Sequence, residues 1–167
     1  MKTQHARLIL GSLLLIHLTS YAGEFEKLGT AVERTLGTKK AAKKTLKIDG
    51  KDTTVFFAKG KDGKATKYAV LQKGIYEPDC SHTWVVGIDA KSLAVDQIRV
   101  VEMSCPHAFP TKENSFLDQY KGKGPADVKK LKDEIGTIAK ATGSSNLTTD
   151  AVIRSVKACE QLKKDNT

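Results

Sequence analysis

The chain has 167 residues, of which 40% are hydrophobic and 28% are charged, and its formal net charge is +9. This composition is that of an ordinary globular protein, and it excludes a collagen-like repeat and a disordered tail. The length excludes a multidomain enzyme and suits a single domain. Because the lysines stand singly or in pairs among acidic residues, we expect a solvated basic surface and no nucleic-acid partner.

The first 22 residues predict a secretory signal peptide. Lys2 and Arg7 form a basic start, Leu8–Leu18 is apolar, and Ser20 and Ala22 are small residues placed where signal peptidase cleaves. The apolar run of about 11 residues is shorter than the ~20 that a membrane-spanning helix needs. A retained membrane anchor is the alternative. We therefore predict a periplasmic or secreted protein, with cleavage after residue 22.

Residues 23–44 predict one helix and a link. Hydrophobic residues recur at helical spacing over Glu24–Leu36, and Gly37 is placed to end the helix. Thr38–Lys44 forms a basic link to the main domain, for which we predict the bounds 45–167.

Five runs rich in Val and Ile, separated by turn residues, predict an antiparallel sheet meander. The runs are Thr45–Asp49, Thr53–Ala58, Lys67–Gln72, Thr83–Asp89 and Leu93–Met103. Asp49-Gly50 is a hairpin turn signal between the first two.

Three helices are predicted after the sheet. The first covers Phe116–Tyr120 and is capped by Asn114-Ser115, the second covers Ala126–Ile135 after Pro125, and the last runs from Thr148 to about Lys163. A helix, a sheet and then further helices make an α+β fold.

A small, polar, glycine-containing segment precedes the last predicted helix. Backbone N–H groups at a helix N-terminus, together with the helix dipole, attract anions. The sequence therefore predicts a phosphate-binding loop over 142–149, although an ordinary capped helix start is the alternative. The candidate binding residues are Thr142, Gly143, Ser144, Ser145, Asn146 and Thr148.

Several stretches together carry a family resemblance. They are Val55–Ala58 with Lys61–Lys64, Tyr68–Val70, Val85–Asp89, Phe116–Lys123, Thr142-Gly143 and Leu147–Val152. In order and spacing they resemble the FMN-binding domain family that occurs in sodium-pumping NADH:quinone oxidoreductases, in the related electron-transport complexes and in nitrous-oxide reductase regulators. The resemblance covers roughly 55–163.

The resemblance implies an FMN cofactor and a role as an electron carrier. It also implies a redox partner protein, and a membrane-bound protein is one option for this partner. Family members with covalent FMN esterify a threonine at the end of Gly-Ala-Thr. Ser145 or Asn146 falls at this place, depending on the direction of alignment, so we expect non-covalent FMN. Trp84 and the segment 103–107 are weaker candidates for contact with the flavin ring.

A cluster of cysteines and histidines flanks the hairpin of the fourth and fifth strands. If Ile88 pairs with Val95, one β-bulge brings Cys80 opposite Cys105, within disulfide range. A disulfide, a zinc site and a redox-active pair near the flavin are three alternatives. The zinc ligands would be Cys80, His82, Cys105 and His107.

Two further expectations concern the remaining cysteine and the function. Cys159 lies on the apolar face of the last helix, so we expect a buried thiol. A flavin-free binding or interaction module, with a tip fixed by the disulfide or by a metal, is the alternative function on the same fold.

Overall fold

The computed structural model describes residues 25–76 and 78–165, so the predicted signal peptide lies outside the described residues. The α+β prediction is confirmed. The chain begins with helix α1 (Leu28–Leu36) and continues with strands β1 (Ala42–Ile48), β2 (Lys51–Lys59), β3 (Ala65–Tyr76), β4 (Cys80–Asp89) and β5 (Val95–Met103). After the sheet come a 3₁₀ helix (Pro106–Lys112), helix α2 (Asn114–Leu117), a second 3₁₀ helix (Asp118–Tyr120), helix α3 (Leu131–Glu134) and the long helix α4 (Thr142–Lys164).

The five strands form one antiparallel sheet in the order β1-β2-β3-β4-β5, as the predicted meander requires. Asp49 and Gly50 have φ angles of 48° and 77°. Two consecutive positive φ angles are typical of the type I′ hairpin turn, whose twist matches that of the flanking strands.

Side chains alternate between the two faces of the sheet along each strand, and both faces are covered by helices. On one face, Ala58, Ala69 and Val85 pack against α1. On the other face, α4 covers the larger core, which contains Trp84 and Val86. None of the helices within the described ranges is both long enough and apolar enough to cross a membrane.

Two predicted boundaries near the N-terminal end are wrong. The first helix begins at Leu28 and not at Glu24, and Phe25 instead makes an edge contact with Phe109 at a ring-centroid distance of 5.8 Å. The first strand begins at Ala42, inside the predicted link, because residues 42–44 pair with β2. Gly37 ends α1 as predicted, with φ at 69° and its N–H bonded to the Glu33 carbonyl at 2.8 Å.

The predicted helix over Ala126–Ile135 is reduced to the four residues of α3. Gly124 donates its N–H to the Asp127 carboxylate at 2.8 Å, and the Asp127 N–H is bonded to the Gly124 carbonyl. These bonds fold residues 124–127 into a turn, so helical hydrogen bonding starts only later.

The ends of other elements also differ from the prediction. The second, third and fourth strands are longer than predicted, and β3 extends to Tyr76, four residues beyond its predicted end. No side-chain cap precedes α2, because Asn114 is already its first residue and Glu113 stands at the N-cap position. The fifth strand starts at Val95, two residues late, since Leu93 has a φ of 60° and belongs to the preceding turn.

Candidate functional site

The predicted phosphate loop is not a loop, because α4 begins at Thr142 and includes all of residues 142–149. Three of the hydroxyl groups that favoured a loop, those of Ser145, Thr148 and Thr149, instead donate to carbonyls four residues back. Ser145 donates to Ala141 at 2.9 Å, and Thr148 donates to Ser144 at 2.9 Å. This back-bonding satisfies the polar side chains within the helix, so burial against the sheet prevails over their loop preference.

A cavity of about 230 Å³ lies at the N-terminal end of α4. It is lined by Tyr76, His107, Lys140, Ala141, Thr142, Gly143 and Ser144. The first backbone N–H groups of a helix have no partner within the helix, and the dipole of a 23-residue helix adds partial positive charge there. No acidic residue belongs to this lining among the described residues. The cavity therefore suits an anion.

Tyr76 and Gly143 make the closest contact in the cavity wall. A Cβ atom added to Gly143 would lie 2.2 Å from a carbon of the Tyr76 ring, a distance that real Cβ atoms do not show. Glycine at position 143 therefore allows the ring at the end of β3 to lie directly on the first turn of α4. The Tyr76 residue remains 47% exposed, which leaves aromatic surface beside the cavity.

The six predicted phosphate residues separate into two groups. Thr142, Gly143 and Ser144 line the cavity. Ser145 and Thr148 are fully buried, and Asn146 is exposed but does not line the cavity. Because the helix starts early, the three later residues lie beyond the first positions of the helix and outside the cavity.

Three residues of the cavity lining were not predicted, and a fourth, His107, was predicted in other roles. No pattern singled out Tyr76, Lys140 or Ala141. His107 was predicted as a metal ligand and, within the segment 103–107, as a weaker candidate for contact with the flavin ring. Tyr76 is far from α4 in sequence, and only the β3–β4 register, which pairs it with Cys80, places it here. Lys140 has a φ of 66° and reverses the chain just before the helix. A lysine two residues ahead of Thr142 was the one signal in the sequence.

Ser144 connects the cavity to a buried histidine. The Cys80 carbonyl can only accept, so His82 Nδ1 carries the proton in their 3.0 Å hydrogen bond. His82 Nε2 then accepts from the Ser144 hydroxyl, also at 3.0 Å. Burial lowers the pKa of His82, and the hydrogen bond to the Cys80 carbonyl offsets this only in part. His82 is therefore a neutral bridge between β4 and α4.

Cys80 and Cys105 form a disulfide, with their Cα atoms 5.4 Å apart, as the strand register predicted. Ile88 does pair with Val95, but the β4–β5 register shifts at two places and not at one. These shifts bring Cys80 level with Cys105, just beyond the end of β5. The bridge fixes the segment that carries His107 to the start of β4.

His107 lies beside this disulfide. The ligand atoms of Cys80, Cys105 and His107 all lie within 4.8 Å of one another. Of the four predicted metal ligands, the structure thus groups three, and His82 is engaged with Ser144. His107 therefore lies both beside the disulfide and in the lining of the cavity at the start of α4.

Two aromatic and sulfur predictions have different outcomes. Trp84 is 0% exposed and stacks on His82 at a ring-centroid distance of 5.2 Å, so the prediction that it contacts a flavin ring is wrong. Cys159 is a buried free thiol as expected, and burial raises its pKa far above the usual thiol range.

In comparisons with known proteins, no family model and no curated protein matches the chain.

Proposed function

We propose that this protein is an exported electron carrier that binds FMN without a covalent bond, with the flavin phosphate at the N-terminal end of α4. The cavity between Tyr76, His107 and the first turn of α4 carries this proposal. It combines free backbone N–H groups, two basic side chains and an exposed aromatic ring, which suits a ligand that has a phosphate at one end and a flat ring system at the other.

The size of the cavity supports entry of only part of the cofactor. Its volume of about 230 Å³ is below the roughly 300–1,000 Å³ of pockets that enclose a whole organic ligand. Ile75 and Tyr76 are large hydrophobic residues at this end of β3, and they are 64% and 47% exposed. Because adjacent strand residues point to opposite faces, only Tyr76 faces α4. Its exposed ring surface beside the cavity receives the flavin ring, while Thr142, Gly143 and Lys140 hold the phosphate.

Burial supports non-covalent attachment. The Ser145 hydroxyl donates to the Ala141 carbonyl at 2.9 Å and accepts from the Ile138 N–H at 3.1 Å, and the residue is 0% exposed. A phosphoester at this oxygen would break both hydrogen bonds and open the start of the helix. Asn146 has no hydroxyl to esterify. When FMN is bound, it supplies one- and two-electron redox chemistry, and the protein anchors and shields it.

The flavin-free interaction module remains the second candidate, because Ile75 and Tyr76, on opposite faces at the end of β3, are both exposed next to the disulfide. Such a rigid tip with an apolar surface suits contact with a partner protein. The presence or absence of flavin binding distinguishes the two candidates.

A matched pair of charge substitutions tests the phosphate site. Thr142→Asp places a carboxylate on an exposed residue of the cavity lining, whereas Asn146→Asp adds the same charge to an exposed residue outside it. FMN and riboflavin are titrated into each variant, with flavin fluorescence as the readout. We expect Thr142→Asp to weaken FMN at least tenfold, or about 1.4 kcal/mol.

The control ligand and the control variant set the limits of this test. Riboflavin lacks the phosphate, so its affinity should stay within about threefold in both variants, and Asn146→Asp should change FMN affinity by less than about threefold because water and salt screen its charge. An equal effect of both variants on FMN would overturn the phosphate site. Binding of neither flavin to the wild type would favour the interaction module.

A further inference from the structure

A cluster of two sulfur atoms and one imidazole lies at the tip of the molecule. Cys80 is 3% exposed, Cys105 is half-buried and His107 is exposed. Cysteine thiolates and neutral imidazole are the ligands that Zn²⁺ prefers in proteins. In the oxidised protein both sulfur atoms are consumed by the disulfide, so the cluster has ligand chemistry only after reduction.

The fourth candidate ligand, His82, is already occupied. Both of its ring nitrogens are in hydrogen bonds of 3.0 Å, with the Cys80 carbonyl and with the Ser144 hydroxyl. Its Nε2 atom lies 3.9 Å from the Cys80 sulfur. Recruiting it to a metal would break the bond that links β4 to the first turn of α4, so His82 is excluded from the ligand set.

We propose that the disulfide and a metal site are two states of this one cluster, in which reduction of the Cys80–Cys105 bond creates a three-ligand Zn²⁺ site completed by His107. The fourth position of the tetrahedron is left to water. The metal would then hold the segment after β5 against the start of β4 when the covalent bridge is open, and it would shield the two thiols from reoxidation.

The change in geometry between the two states is small. A disulfide has its sulfur atoms about 2.05 Å apart. In a tetrahedral site with Zn–S bonds of about 2.3 Å, the sulfur atoms are about 3.8 Å apart. The sulfur-to-nitrogen separation in such a site is similar. The three ligand atoms of the cluster already lie within 4.8 Å of one another, so both separations are compatible with their present positions. Side-chain rotation at a Cα separation of 5.4 Å can supply the difference.

The chemical balance requires a two-electron reductant, for which a phosphine or a dithiol serves. A phosphine takes up oxygen from water as the S–S bond breaks and two S–H groups form, and a dithiol becomes a disulfide in the same exchange. Zn²⁺ then displaces the protons of the two thiols, so metal binding releases up to two protons. No other redox partner is needed.

The test uses the full exported chain, reduced with a phosphine, desalted without oxygen and titrated with Zn²⁺ or with Co²⁺ as a spectroscopic substitute. We expect one metal ion per reduced chain, thiolate-to-cobalt charge-transfer absorption, and a higher thermal midpoint for the reduced protein with Zn²⁺. The oxidised protein should show none of these. Equal metal binding by the oxidised protein, or no binding by the reduced protein, would overturn the proposal.

Two histidine variants test the ligand set. His107→Ala should weaken Zn²⁺ binding at least tenfold and shift the cobalt spectrum, because one ligand is lost. His82→Gln should leave the spectrum unchanged and the affinity within about threefold. The reverse ranking would overturn the assignment of His107. Far-ultraviolet circular dichroism checks that each reduced variant is folded, and a Cys80→Ser, Cys105→Ser double variant is the control without sulfur ligands. Zn²⁺ that binds only to unfolded chain would not raise the thermal midpoint, so the midpoint distinguishes this case.

Discussion

Gly143→Ala is a direct perturbation of the contact between β3 and the start of α4. Gly143 is the second residue of α4, and Gly29 holds the same position in α1. An added Cβ at Gly29 would meet nothing within 4 Å, whereas at Gly143 it would lie 2.2 Å from the Tyr76 ring. The two substitutions therefore share their effect on the helix and differ in the clash.

The expected magnitudes follow from these distances. Replacing glycine by alanine in a helix gains about 0.5–1 kcal/mol of stability through backbone entropy. Gly29→Ala should show this gain in stability, or a smaller gain because Gly29 lies near the end of its helix. At Gly143 the Tyr76 ring must swing away, and overpacking of this kind costs about 1–3 kcal/mol. Since Tyr76 is 47% exposed, we expect the lower part of that range, about 1–2 kcal/mol, and a net loss of roughly 0.5–1 kcal/mol after the helix gain.

Urea unfolding followed by circular dichroism measures these free energies of unfolding. The Tyr76→Ala background removes the clash, so Gly143→Ala should there become neutral or stabilising, with a coupling of about 1–2 kcal/mol between the two sites. If Gly143→Ala stabilises the protein as much as Gly29→Ala does, with Tyr76 intact, the ring does not rest on α4 and the shape of the cavity is wrong.

Three further predictions concern the surroundings of the site. The Cys80→Ser, Cys105→Ser double variant should lose about 3.5 kcal/mol of unfolding free energy, because the bridge closes a loop with a separation of 25 residues. The unfolding free energy should fall between pH 7 and pH 5 by up to about 1.4 kcal/mol per pH unit, because the lowered pKa of His82 lets the unfolded chain bind a proton that the folded chain does not bind. In His82→Gln this slope should be absent. An unchanged slope would contradict the assignment of a neutral, buried His82. Tyr120→Phe should lower the unfolding free energy by about 1 kcal/mol, because it deletes the 2.8 Å hydrogen bond to Thr149. Burial raises the pKa of Tyr120 to about 12, and an ultraviolet pH titration of the variant should lack this late-titrating tyrosine.

The sheet followed from the sequence because its signals are local. Alternating Val and Ile runs and turns such as Asp49-Gly50 specify strands and hairpins without reference to distant residues. The register from Ile88 and Val95 brought Cys80 near Cys105 and so favoured the disulfide among the three alternatives, although the predicted number of bulges was wrong. Bulges depend on how two strands pack against α1 and the core, and no local pattern encodes them.

The start of α4 did not follow from the sequence, because local preference and tertiary packing disagree there. Ser145, Thr148 and Thr149 favour turns and caps in isolation. In the fold they are buried, and their hydroxyls bond to carbonyls within the helix. The candidate site was consequently predicted about one helical turn too far along the chain, and Tyr76, which forms its wall on β3, was missed.

Flavin titration of the purified wild-type protein decides whether the cavity at the start of α4 is an FMN site. Protein exported from a suitable host is desalted, its visible spectrum is recorded, and FMN and riboflavin are added in separate titrations. We predict saturable FMN binding that is tighter than riboflavin binding, weakens as salt rises, and releases all flavin when the protein is denatured. The absence of FMN binding up to about 1 mM, where the binding free energy would be only about −4.1 kcal/mol, would contradict the proposed function.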